Sequence, residues 1–146
     1  MISTKEIAQG MEAWAADVSA VNAYPNEPPN FHAAMPIVAS RIVSDTESEV
    51  TAEFPDEDYQ QTNIQALVIE LSILVDPEPE WTSDQALYDI VDELKAALKA
   101  DPTLGNRVDR ASKEYEVNYD GEVQMADGTR ANLARFTIAV ANRVGA

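Results

Sequence analysis

The chain has 146 residues, 45% of them hydrophobic and 25% charged, which suits one ordinary globular domain and is too little for two. Ten Lys and Arg stand against 26 Asp and Glu, a formal charge of −16 that excludes binding nucleic acid through its phosphates and docking on an anionic membrane. With no cysteine there is no disulfide, thiolate zinc site, iron–sulfur cluster or Cys nucleophile.

Ser3 and Glu6 have the S-x-x-E spacing of a capping box, and Ile7, Met11, Trp14, Val18 and Val21 follow at helical intervals. The pattern predicts an amphipathic helix stopped at Tyr24-Pro25, its stripe turned to the core. Residues 25–36 hold Pro25, Pro28, Pro29 and Pro36 and read as an ordered arm or long loop. Ile37 to Val43 and Glu49 to Phe54 read as two strands, with Val50, Ala52 and Phe54 on one face of the second. Gln65 to Val75 is the strongest strand. Leu67, Ile69, Leu71, Ile73 and Val75 alternate onto one face while Val68 and Leu74 make the other partly apolar, which predicts a central position.

Asp76-Pro77-Glu78-Pro79 ends that strand. A second helix follows, capped by Thr82 with Gln85 or by Ser83, with Leu87, Ile90, Val91, Leu94 and Leu98 as its buried stripe. Ala100-Asp101-Pro102 closes it, and Leu104-Gly105 supplies a tight or left-handed turn. The last third reads as a β-meander: Tyr115, Val117 and Tyr119 alternate, Asp120-Gly121 and Asp127-Gly128 are hairpin-type turns, and Phe136, Ile138 and Val140 alternate on the closing strand. The expected fold is a single α+β domain over residues 1–146, a mostly antiparallel sheet packed against two helices.

Met1 to Glu6 lacks a signal-peptide pattern, and no apolar run approaches a membrane span. The expectation is a soluble product that folds in the cytoplasm. Little in the sequence points to catalysis. His32 is the lone histidine, no G-x-S-x-G elbow accompanies it, and it reads as a loop residue packed on a neighbour. Asp45, Glu47 and Glu49 alternate as in a calcium loop, but Val50 stands where that loop needs Gly and Asp56 where it needs a bidentate Glu. No phosphate-cradling glycine loop is present. No enzyme activity, metal or cofactor is expected.

The charge is unevenly distributed. Between Arg41 and Lys95 there are fifteen acids and no Lys or Arg. Asp45, Glu47, Glu49, Glu53, Asp56, Glu57 and Asp58 make up its first part. Such a surface serves solubility, repels DNA, or mimics it.

The order of the C-terminal half narrows the choice. Leu94-x-x-x-Leu98, Asp101-Pro102-Thr103-Leu104-Gly105, Val108, an aromatic strand through Tyr115 and the final strand Arg135-Phe136-Thr137-Ile138-Ala139-Val140 resemble the tail terminator family of long-tailed double-stranded DNA phages. Family members often carry a second Gly where this chain has Asn106, a residue that also tolerates the left-handed region. The front half, an amphipathic helix, a proline-containing loop and strands, fits the same order more loosely. The resemblance implies a curved sheet with two helices and a ring, usually a hexamer, in the virion tail. Its partners would be further copies of itself, the tail tube protein and a neck or head-completion protein, with DNA passing through unbound. The family has no catalytic residues to carry over. In such a ring the acids from Asp45 to Asp58 are candidates for the bore or its rim. Pro28, Pro29, Phe31 and His32 on the arm, with Arg107, Arg110, Arg130 and Arg135, are candidates for the subunit contact, as is Arg143. Two alternatives are a head–tail adaptor of the same apparatus and a monomeric acidic DNA mimic that occupies a basic cleft.

Overall fold

A computed structural model describes residues 3–23, 35–52 and 60–144. Ser3 caps α1 (Thr4–Val18): the Glu6 amide donates to Ser3 Oγ at 3.2 Å, and the Ser3 amide donates to Glu6 Oε2 at 3.0 Å. The helix stops at Val18 rather than running to Tyr24. The reason is a competing strand, β1 (Asn22–Ala23), which pairs in parallel with Ile37 and Val38 and takes the chain out of the helix. Val21 is buried just beyond the helix.

The two strands expected between Ile37 and Phe54 are one. β2 (Ile37–Ala52) runs through Asp45–Ser48 because β3 (Gln60–Val75) pairs with it antiparallel from Ile37↔Leu74 to Ala52↔Gln60, with one bulge at Ile42/Ser44. That ladder satisfies the backbone where the side chains are too polar to signal a strand. At about 3.3 Å per residue, each 16-residue strand spans roughly 50 Å. The second helix, α2 (Glu80–Ala100), spans only about 31 Å at 1.5 Å per residue. The expected side chains of Val50, Ala52 and Phe54, and the arm 25–34, lie outside what is described.

The cap of α2 is Pro79, three residues before Thr82 and four before Ser83, and it makes no side-chain cap. Ser83 and Asp84 accept instead from Asn132 Nδ2, at 2.9 and 2.8 Å, which ties the helix start to the sheet. β4 (Arg110–Gln124) and β5 (Arg130–Val144) form the closing hairpin. Its turn is at Asp127-Gly128, where Gly128 has φ 89° and its amide donates to Met125 O. Asp120-Gly121 is not a turn. It sits at a register shift inside β4, with Gly121 at φ 78°.

The sheet order is β1-β2-β3-β5-β4, antiparallel except for the first pair, so β3 is central. Together with the two helices on one face it makes a single α+β domain. Ile7, Met11 and Trp14 of α1, Leu87, Ile90, Val91, Leu94 and Leu98 of α2, and Leu67, Ile69, Leu71, Ile73 and Val75 of β3 share one core with Phe136, Ile138 and Val140. A small second cluster, Ile37, Leu74 and Ala131, lies on the helix-free face, as the apolar Leu74 anticipates.

Candidate subunit-contact surface

The two faces of the sheet differ in chemistry, and the strand register assigns each side chain to one of them. Residues directly opposite in an antiparallel pair point to the same side. Leu67 is in the core under the helices, so Asp45, its partner, points to the helix side. Glu47↔Gln65 and Glu49↔Asn63 continue that row. Asp45, Glu47 and Glu49 are all exposed on a strand whose outer edge, beyond Val38, no described strand covers. Gln65 Nε2 donates to Asp45 Oδ1 at 3.1 Å, and no described cation pairs with any of the three. The other acids of this stretch, Glu53, Asp56, Glu57 and Asp58, lie outside the described residues. So do Pro28, Pro29, Phe31 and His32.

The candidate arginines fall into two groups. Arg107 Nη2 donates to Asp17 at 2.7 Å and Nη1 to Leu104 O at 3.1 Å, fastening the loop after α2 to the end of α1. Arg130 pairs with Glu122 at 2.5 Å across the closing hairpin. Arg135 holds Asp120 at 2.6 Å and Glu70 at 3.7 Å on the helix-free face; the Asp120 hydrogen bond raises its pKa further above the ordinary guanidinium value. These three have partners within the chain. Arg110 and Arg143 have no described side-chain partner, and both are exposed. Arg110↔Ala141 and Arg143↔Ile64 put both on the helix-free side. Arg110 lines an open depression together with Ala66, Ser112, Glu114, Ala139, Val140 and Ala141.

Two further features bear on the surface. The Asp101 carboxylate accepts from Thr103 N (3.0 Å), Thr103 Oγ1 (2.6 Å) and Gly105 N (3.0 Å). These bonds, the Thr103 hydroxyl foremost, hold its pKa below the usual 3.8. They brace three successive left-handed residues, Leu104, Gly105 and Asn106, through which the chain leaves α2 for β4. The sequence pattern also missed the aromatic residues outside the apolar stripe of α2. Trp81 is 74% exposed, and Tyr88 meets Tyr119 edge-on at 5.3 Å. Burial, with Asp92 and Tyr88 nearby, raises the Tyr119 pKa. The sequence signal was an unexplained Trp one position from the helix start.

No group of three or more acids or histidines that could hold a metal occurs among the described residues. No protein-family model matches the chain, and no curated protein matches it.

Proposed function

We propose that this chain is a tail terminator of a long-tailed phage. Copies close into a ring, by the resemblance a hexamer, that caps the tail tube on one side and meets the neck or head-completion protein on the other. DNA passes through it without being held. Assembly takes place in the host cytoplasm and the finished ring stays in the virion tail.

The observation that carries this reading is the stretch between Arg41 and Lys95, which runs through the long β2–β3 hairpin into α2 and holds fifteen acids and no Lys or Arg. A duplex presents one phosphate per about 1.7 Å of its axis, so lysines on a channel wall would create wells in which DNA stalls. A surface rich in carboxylates removes those wells over a Debye length of about 8 Å. The Asp101-Pro102-Thr103-Leu104-Gly105 turn and the strands after it support the same reading through the family resemblance. A self-associating ring needs no catalytic residue.

The test is to add the purified chain to polymerised tail tubes and image the ends, while measuring its mass in solution. Ring-shaped caps on one tube end are the expected result. A chain that stays monomeric and leaves tube ends bare overturns the reading. A ring that binds the neck but not the tube means an adaptor; a stable monomer that blocks a basic DNA-binding enzyme means a DNA mimic.

A further inference from the structure

The sheet itself keeps the Asp45, Glu47 and Glu49 row apart from Arg110 and Arg143. Asp45, Glu47 and Glu49 project from its helix side, and Arg110 and Arg143 from the opposite side. The two groups also stand on different strands, β2 against β4 and β5 with β3 between, and no described ion pair joins them. From this we infer that they meet between copies: the acidic row of one subunit docks on the arginine pair of the next. The inference rests on the self-assembly reading above and gives it a contact. It also moves these three acids from the channel wall to the subunit boundary, leaving the wall to other parts of the acidic interval.

Three observations agree in detail. Alternate residues of a strand are roughly 7 Å apart, so successive acids of the row have that spacing. Arg110 faces Ala141 and Arg143 lies two residues further along β5, a diagonal pair about 7–8 Å apart. Two neighbouring carboxylates can therefore engage both guanidiniums at once, the bidentate chemistry for which Arg is suited. The floor beside Arg110 is built from small side chains, Ala66, Ala139 and Ala141, which lets a strand approach closely. Glu114 also lines the depression and sets a limit on how many acids it accepts. A contact that joins one face of a subunit to the opposite face of the next is heterologous, and such contacts give closed rings or open filaments, not isolated dimers. Homotypic pairing of the acidic β2 edge is disfavoured because it would set like charges opposite one another.

A charge swap tests this in full-length protein. One variant carries Arg110→Glu and Arg143→Glu; the other carries Asp45→Lys, Glu47→Lys and Glu49→Lys. Self-association is measured by sedimentation, alone and on tail-tube ends, after thermal melts establish that each variant is folded. Each variant alone should lose self-association by about 100-fold or more, because like charges then face each other. Mixing the two in equal amounts should restore assembly, since every acid face then finds a basic one. If a reversal variant melts early, the neutral set Arg110→Gln with Arg143→Gln replaces it, with a loss of about tenfold expected. Unchanged assembly of the single variants, no rescue in the mixture, or a wild-type chain that never self-associates each overturns the inference. Rings insensitive to the swap would leave the terminator reading standing without this contact. Open filaments that obey the swap would leave the contact standing without the ring.

Discussion

At the residue scale, Gly105 carries the tightest backbone demand. It has φ +68°, and a Cβ added there would come within 2.7 Å of Arg107 Nη1. That guanidinium is already committed to Leu104 O and Asp17, so it cannot withdraw without releasing α1. Gly105→Ala should cost about 1–2 kcal/mol from the left-handed backbone, with the loosened Arg107 contact adding to it. Urea unfolding measures the change, and a parent-like midpoint would mean the turn is softer than its hydrogen bonds imply. Asp101 acts on the same turn through charge. Its folded pKa lies below the unfolded value near 3.8, so its contribution is fully present above that pH and is lost as pH falls through the lower folded value. Asp101→Asn should melt below the parent at neutral pH, and the gap should close as the pH drops well under 3.8. A gap that stays constant with pH would rule out the ionised carboxylate as its cause.

At the element scale, each helix is held by a different device. Leu94 is fully buried in the shared core, and Leu94→Ala should destabilise the chain by about 2–5 kcal/mol by chemical denaturation. The start of α2 depends on Asn132, which bonds Ser83 and Asp84 in place of a conventional cap. Asn132→Ala leaves the buried Ser83 hydroxyl without that donor and should cost about 1–3 kcal/mol. If the variant melts like the parent, the tie between helix and sheet is decorative. The burial stripes of both helices and the central place of β3 were readable in the sequence because each buries one periodic face. β2 was not read as continuous, because near Asp45–Ser48 it is solvated on both sides and no alternation has to be kept. Asp120-Gly121 misled for a related reason: turn chemistry and bulge chemistry both favour Gly at positive φ, and only the Arg135–Asp120 pair decides between them. The division of the arginines into paired and free ones was likewise hidden. Arg107 and its partner Asp17 are ninety residues apart, a contact no spacing rule reaches.

At the scale of the whole molecule, two electrostatic effects oppose each other. Every copy carries −16, so copies repel over long distances, whereas the proposed contact joins carboxylates to arginines at short range. Salt screens the two unequally. At 0.01 M the Debye length is about 30 Å, and the net repulsion of whole subunits acts almost unscreened. Near 0.15 M it contracts to about 8 Å, which removes most of the repulsion between centres but leaves contacts of a few ångströms largely intact. At 1 M it is about 3 Å, and the ion pairs themselves weaken. Self-association measured by sedimentation across this range should therefore pass through a maximum at intermediate salt. A steady rise up to 1 M would mean that apolar burial alone drives assembly and that Arg110 and Arg143 have no part in it. A steady fall from 0.01 M would mean that attraction between the two faces outweighs the net charge even unscreened. In the variant with Asp45, Glu47 and Glu49 changed to Lys, mixed with its arginine-reversed counterpart, every second contact is inverted and the others are native, so ion pairs are present at each and the maximum should persist.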